Sequence, residues 1–183
     1  METEREEFLM RAIRIASLAA LAAALVVVAP VSTIAGPACT ITGTNEGETL
    51  RGTSGPDVIC GRGGHDFILG RGGDDLIRGG PGVDELYGRP GDDRIFGGKG
   101  GDRLWGGDDD DRLYGNAGRD VVVGQTGVDR VDGGVGADIC VSAVDEQPGD
   151  VVIGGPGRDT GSGDAGDTVV GIEHRVPFLC YGG

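Results

Sequence analysis

The sequence predicts an all-β fold, a solenoid of two parallel sheets built from nine-residue repeats, with two repeats in each coil. The first observation is a run of eleven consecutive nine-residue units over residues 43–141, without insertion or deletion. The second is the constant chemistry of three places in each unit: glycine at the first, an acid at the sixth and an apolar residue at the eighth. The third is the composition, since 39 glycines and only 4% aromatic residues do not suit a large globular core.

The first six places of each unit are predicted to form a turn, and the last three a short strand. Glycine in the turn permits positive φ and close approach of backbones. Side chains alternate along a strand, so the eighth residue points inward and the seventh and ninth point outward. Two turns and two strands, eighteen residues in all, close one coil, and units two apart therefore stack. The eighth-place residues are Leu50, Ile59, Ile68, Ile77, Leu86, Ile95, Leu104, Leu113, Val122, Val131 and Cys140.

Stacking also places the sixth-place acids in a column along each edge of the solenoid. Strands in a ladder lie about 4.8 Å apart, so acids two units apart would repel each other. A hard divalent cation between successive turns removes this repulsion and takes oxygen from carboxylates and turn carbonyls, the ligand set that calcium prefers. Magnesium requires a stricter octahedron, and zinc would require recurring His or Cys. The predicted side-chain ligands are Asp57, Asp66, Asp75, Asp84, Asp93, Asp102, Asp111, Asp120, Asp129 and Asp138. The predicted carbonyl ligands lie near Gly52, Gly61, Gly70, Gly79, Gly88, Gly97, Gly106 and Gly115.

Four further acids are weaker candidates for calcium ligands. Glu48 replaces aspartate in the first unit, and Asp150, Asp159 and Asp167 lie in partial units after the regular run. Eleven units contain nine pairs two units apart, so nine ions are the maximum predicted for the regular run. The alternative interpretation is a solvated acidic face, but eleven acids in register with glycine turns favour calcium.

The units resemble the calcium-binding nonapeptide repeats of the RTX proteins, whose pattern is G-G-x-G-x-D-x-U-x. The units at residues 79–87 and 97–105 match every constant place of that pattern, and the resemblance covers 99 of the 183 residues. It implies a parallel β-roll with calcium ions in the turns on both edges. Only four units have glycine at the second place, and Glu46 and Asp109 replace the fourth-place glycine. Asp109 can still adopt the left-handed conformation.

The pattern of residues 1–38 predicts a secretory signal peptide. Two arginines precede an apolar run over residues 15–29, and small residues follow it. Cleavage is expected after Ala35 or Ala38, which predicts a secreted, extracellular protein. The alternative is an uncleaved anchor, because residues 13–31 are just long enough to span a membrane. RTX proteins usually carry an uncleaved C-terminal export signal instead, which argues against a toxin.

The four cysteines suit an oxidising compartment. Of the three possible pairings, we favour Cys39–Cys60 and Cys140–Cys180, because each would close one end of the roll. The domain boundaries predicted around them are a repeat domain at residues 39–141 and a segment of degenerate repeats at 142–183. Residues 172–181 are expected to cap the last coil.

Outward-facing side chains are predicted to form ladders on both faces. Arg94, Arg112 and Arg130 share one face with Phe96 and Tyr114, and Tyr87 and Trp105 share the opposite face. The simpler interpretation is packing between neighbouring strands. The alternative is a cell-surface adhesin or matrix module that binds glycan through these ladders.

The sequence excludes several classes of function. A net charge of −14 argues against nucleic acid as a partner. There is no H-E-x-x-H or G-x-S-x-G motif, and the two histidines, His65 and His174, are expected at the surface. We therefore predict a secreted, non-enzymatic calcium-binding protein that folds on binding several ions, with membrane contact only through an uncleaved signal. A remnant of an RTX hydrolase is a further alternative.

Overall fold

A computed structural model shows a solenoid of two parallel β-sheets, which confirms the predicted fold class. The structure describes residues 36–139, 141–143, 145 and 147–175. These residues form strands and turns, without a helix. The strands are β1 (Ile41–Thr42), β2 (Thr49–Arg51), β3 (Val58–Cys60), β4 (Phe67–Leu69), β5 (Leu76–Pro81), β6 (Glu85–Pro90), β7 (Arg94–Lys99), β8 (Arg103–Asp108), β9 (Arg112–Gly118), β10 (Val121–Thr126), β11 (Arg130–Asp132), β12 (Val135–Gly136), β13 (Val141–Ala143), β14 (Val151–Ile153), β15 (Thr160–Gly163), β16 (Thr168–Val170) and β17 (His174–Arg175).

Successive strands alternate between the two sheets. The first sheet has the order β1-β3-β5-β7-β9-β11-β14-β16, with β12 also paired to β9, and the second has the order β2-β4-β6-β8-β10-β13-β15-β17. Ile77 pairs with Ile95 and Ile95 with Leu113, all in parallel register. These partners lie eighteen residues apart, so the predicted coil of two units is confirmed.

The core is a narrow column of eighth-place side chains between the sheets. Nine of them, from Ile59 to Val131, are 0% exposed, and Ala143 and Val152 continue the column. Each fully buried aliphatic side chain of this size contributes about 1.5–3 kcal/mol. Only about one residue in nine enters this core, however, so the stability of the fold depends strongly on the interactions that the turn residues make.

Most of the regular turns have a left-handed backbone at their second place. Nine second-place residues have positive φ, and five of these are not glycine. The five are Arg62, Arg71, Arg89, Asn116 and Gln125, with φ between 74° and 88°. Glycine is therefore dispensable at the second place, at some cost in strain. Asp109 at a fourth place has φ 80°, as its short polar side chain allows.

The structure departs from the sequence period in the last regular unit. Ile139 keeps the regular backbone hydrogen bond to the Asp120 carbonyl, at 2.9 Å. Val141, not Cys140, then pairs with Val122. The register advances by one residue immediately before β13, and such an extra residue interrupts a ladder only locally.

The N-terminal end of the roll is closed by the predicted disulfide between Cys39 and Cys60, with an S–S distance of 2.00 Å. At the other end, Ile172 packs against the core and β17 pairs with β15. The predicted Cys140–Cys180 disulfide and the signal segment cleaved after Ala35 or Ala38 involve residues outside the described ones. In the described part of the chain, no helix is long and apolar enough to cross a membrane.

Candidate metal centre

The turn acids form two columns, one along each edge of the roll. In each column, the backbone amide of one acid donates a hydrogen bond of 2.6–3.2 Å to a carboxylate oxygen of the next acid. The first column contains Asp57, Asp75, Asp93, Asp111, Asp129, Asp150 and Asp167. The second column contains Glu48, Asp66, Asp84, Asp102, Asp120, Asp138, Asp159 and Glu173.

Most of these acids keep one buried oxygen without a partner. Among the residues that the structure describes, eleven aspartates have an Oδ2 atom that is inaccessible to solvent and accepts no hydrogen bond. They are Asp66, Asp75, Asp84, Asp93, Asp102, Asp111, Asp120, Asp129, Asp138, Asp150 and Asp159. Folded proteins rarely leave buried polar groups unsatisfied, because each costs free energy. Eleven such oxygens in two rows indicate that a positively charged species belongs beside them.

Burial changes the acidity of the column carboxyls when no cation is present. It raises the pKa of Asp93 and of Asp102 to about 7 and that of Asp111 to about 9. Neighbouring carboxylates raise these pKa values further, whereas the hydrogen bond from a backbone amide lowers them. In the folded chain without metal, protons would therefore partly neutralise the columns near neutral pH.

Nine of the eleven unpaired carboxylate oxygens lie beside the glycine five residues earlier in the chain. A Cβ atom built on Gly97 would lie 2.6 Å from Oδ2 of Asp102 and 2.8 Å from the carbonyl oxygen of Gly115 in the next coil. The first-place glycines therefore provide space rather than an unusual φ. The same pairing of a carboxylate and a carbonyl oxygen recurs at Gly61, Gly70, Gly79, Gly88, Gly106 and Gly115.

The predicted carbonyl ligands lie at these same points. Seven of the eight predicted glycines have a carbonyl oxygen that faces the first-place glycine of the preceding coil: Gly61, Gly70, Gly79, Gly88, Gly97, Gly106 and Gly115. The carbonyl oxygens of Gly124 and Gly133, which were not predicted, do the same. Gly52 lies in the first turn of its edge among the described residues, so its carbonyl has no such partner. Carboxylate and carbonyl oxygens without nitrogen or sulfur fit calcium. No three His, Cys, Asp or Glu side chains in the described ranges converge on one point, so backbone oxygens must complete any site.

The first two turns differ from the others. Thr44 donates to both oxygens of Glu48, through its amide at 2.7 Å and its hydroxyl at 2.8 Å. Thr53 donates to Oδ2 of Asp57 in the same way, at 2.7 and 2.9 Å. The amide hydrogen bond from Thr53 is the main cause that lowers the pKa of Asp57. Asp57 therefore differs from the other nine predicted aspartates, each of which has an Oδ2 atom without a partner. Glu48 was predicted to be a weaker calcium ligand, and both of its oxygens are occupied by Thr44.

The acids after the regular run continue both columns. Asp150 and Asp159 each lie 21 residues after the preceding acid and have an unpaired Oδ2. Asp167 lies at the end of the first column, where its two oxygens accept amide hydrogen bonds from Gly149 and Asp164. Glu173 ends the second column, only 14 residues after Asp159. Sequence reasoning missed Glu173 because no feature of the nine-residue period points to it.

The predicted surface ladders are present. Arg94, Arg112 and Arg130 are in register on the first sheet, where the rings of Phe96 and Tyr114 stack at 4.9 Å. On the second sheet, the rings of Tyr87 and Trp105 stack at 4.5 Å.

The second-sheet ladder favours packing over glycan binding. Tyr87 and Trp105 stack face to face, and the ring of Phe67 lies 5.4 Å from that of Tyr87, so the rings of neighbouring strands contact one another as cross-strand packing predicts. His65 and His174 are exposed, as expected. Nδ1 of His65 lies 3.1 Å from the Val83 amide, which donates to it.

Comparison with known families points to the same chemistry. A family model described as the RTX calcium-binding nonapeptide repeat (4 copies) matches residues 42–77, 69–104 and 105–140, more than half of the chain. The matched residues contain every turn from the first to the eleventh, and all ten predicted aspartate ligands. No curated protein matches the chain.

Proposed function

Because the chain belongs to the RTX calcium-binding nonapeptide repeat family, we propose that it folds by binding calcium ions between successive turns on both edges of the roll. The observation that carries this proposal is the set of eleven buried Oδ2 atoms without a partner. A hard cation beside each of them would replace the missing hydrogen bonds and cancel the repulsion within each column.

The ligands would be the eleven unpaired aspartates together with the first-place carbonyls that face them. Each of these eleven acids then has two functions, since Oδ1 accepts the amide of the preceding acid and Oδ2 is left for the ion. Bound calcium would supply fixed positive charge and draw oxygens of two coils together. The first-place glycines keep the required space open, because a Cβ there would meet the ligand oxygens.

Nine successive pairs can be formed from the eleven unpaired acids, four in the first column and five in the second. Nine ions per chain are therefore the upper limit of this proposal. The sequence also predicted at most nine ions from the regular units, but the pairs of acids in the two sets are not the same. Pairs that contain Glu48 and Asp57 leave the set, and pairs that contain Asp150 and Asp159 join it.

Folding and calcium binding would be one equilibrium. The core takes one residue from every nine, and the net charge of −14 opposes compaction until cations bind. Binding to the folded state alone stabilises that state in proportion to the logarithm of free calcium. The Cys39–Cys60 disulfide suits a secreted protein. Site affinities on the order of 0.1–1 mM, as in extracellular modules, would keep the chain unfolded inside the cell and folded outside.

We propose a non-catalytic role, in which the roll serves as a calcium-stabilised structural module. In the regular turns the acid accepts an amide hydrogen bond from the preceding coil and lies near a glycine carbonyl, an arrangement that suits ion binding.

Circular dichroism during a calcium titration of the chain without residues 1–38 tests the proposal. We expect a disordered spectrum in chelator, a cooperative gain of β signal with calcium and a much weaker response to magnesium. A chain that is fully β-structured in chelator, or one that binds no calcium by isothermal titration calorimetry, would refute it.

A further inference from the structure

The first two turns carry the same arrangement of threonine and acid, one on each edge of the roll. In each, the second-place threonine donates its amide and its hydroxyl to the sixth-place acid, at 2.7–2.9 Å. The threonine hydroxyl also accepts the amide of the fourth-place residue, Glu46 or Gly55, at 3.1–3.2 Å. The oxygens that remain unpaired in later turns are thus occupied by protein donors in these two.

The second-place amide has a different acceptor in a left-handed turn than in the two threonine turns. Arg71 has φ 88°, and its amide donates to the carbonyl of Gly88 in the next coil, at 3.1 Å. Asp75 in that turn keeps an unpaired Oδ2. Thr44 and Thr53 are the second-place residues outside the left-handed set, as expected of β-branched side chains. Their amides turn inward to the acid instead.

Both threonine turns lie at the N-terminal end, where other contacts also close the roll. The Thr40 hydroxyl donates to Oδ1 of Asp57 at 3.2 Å, so both oxygens of that carboxylate have partners. The Cys39–Cys60 disulfide ties the same coil together. We propose that the turns at residues 43–48 and 52–57 bind no calcium, because Thr44 and Thr53 occupy the oxygens that the ion takes in later turns. This inference rests on the proposed function, since it assigns which of the family's turns remain metal-free.

Restoring glycine at the second place should create a site. Thr53→Gly makes residues 52–57 read G-G-S-G-P-D, which matches the repeat pattern at every constant place. The variant should bind one more calcium ion per chain than the unchanged protein, measured by isothermal titration calorimetry with calcium alone. Ser54→Gly adds a glycine to the same turn without removing either donor to Asp57, and it should leave the number of ions unchanged. A folded Thr53→Gly chain with an unchanged number of ions would overturn the inference.

A second pair of variants decides the matter if Thr53→Gly does not fold. Asp57→Asn should bind as many ions as the unchanged protein, whereas Asp93→Asn, in the middle of the same column, should bind at least one fewer. Equal losses in both variants would overturn this inference and leave the proposed function intact. An unchanged protein that binds no calcium would instead refute the proposed function itself.

Discussion

The backbone amide of Asp93 donates a 2.8 Å hydrogen bond to Oδ1 of Asp111, one coil later, while Oδ2 of each residue is buried without a partner. The bonded oxygen sets how closely two coils stack. The unbonded oxygen creates a cost that grows with every coil added, because like charges accumulate in one column. The same side chain therefore both aligns the solenoid and makes it dependent on cations.

Replacing Asp111 by Asn should remove calcium from the middle of the first column. Asn keeps an acceptor for the Asp93 amide but loses the charge on the oxygen left for the ion. We expect one or two fewer ions per chain. The calcium concentration at which half of the chain is folded, the calcium midpoint, should rise by about tenfold or more, because the charge of the ligands changes calcium affinity by orders of magnitude. Calorimetry and circular dichroism measure both quantities.

The matched control for this variant is Asp110→Asn. Asp110 is the neighbouring residue but is exposed, and its Oδ1 accepts the Val128 amide at 2.8 Å. The Asp110→Asn variant should bind the same number of calcium ions as the unchanged protein. Equal effects of the two substitutions would show that general acidity, rather than the buried column, drives binding.

Acid should partly replace calcium. Burial raises the pKa of Asp93 and of Asp102 to about 7 from the ordinary value of 3.8. A group with a raised pKa in the folded state stabilises that state fully below the unfolded value and loses this effect as pH rises through the folded value. Without calcium, β signal should therefore increase as pH falls from about 7 to about 4. Calcium affinity should decrease over the same range, since protons compete for the same oxygens.

Circular dichroism in calcium-free buffer across that pH range checks the prediction, with sedimentation velocity to exclude aggregation. A chain that loses β signal on acidification would contradict the raised pKa values. Asp57, whose pKa is lowered, opposes the trend, but it is one group against the many carboxyls whose pKa is raised.

Gly97→Ala should destabilise the calcium-loaded roll by about 1–3 kcal/mol, as overpacking of a close contact does. The new Cβ would lie 2.6 Å from Oδ2 of Asp102, at the point where the ligand oxygens converge. Urea denaturation at saturating calcium measures the free energy of unfolding. Gly55→Ala is the control, because a Cβ there has no atom within 4 Å, and its effect should stay within about 0.5 kcal/mol. A similar loss in both variants would contradict the crowding argument.

Arg71→Gly should stabilise the roll by about 1 kcal/mol. Arg71 has φ 88°, a conformation that costs a residue with a side chain about 1–2 kcal/mol and costs glycine little. The calcium midpoint should fall accordingly. Arg94→Gly removes the same side chain from within β7, where glycine weakens a strand by about 0.5–1 kcal/mol. Stability changes of the same sign in the two variants would show that loss of the arginine charge, not backbone strain, explains the effect.

The sequence alone determined the two-sheet solenoid, the eighteen-residue coil and the two columns of acids. A constant period makes this possible, because each contact recurs at the same offset and one unit specifies its neighbours. Glycine at the first place, acid at the sixth and an apolar residue at the eighth then leave one way to stack, with Ile95 over Ile77 and Asp93 beside Asp75.

Only the tertiary structure decided which acids keep an unpaired oxygen and where the columns end. The Thr53 amide points inward and donates to Oδ2 of Asp57. The presence of an acid at the sixth place does not indicate whether its Oδ2 atom has such a donor. Glu173 joins the second column after a spacing of 14, and Val141 takes the place opposite Val122 after a spacing of 19. The physical reason is that the period sets contacts only while the spacing stays constant. At the ends the spacing changes, and the residues that meet are set by how the chain closes over the last coil.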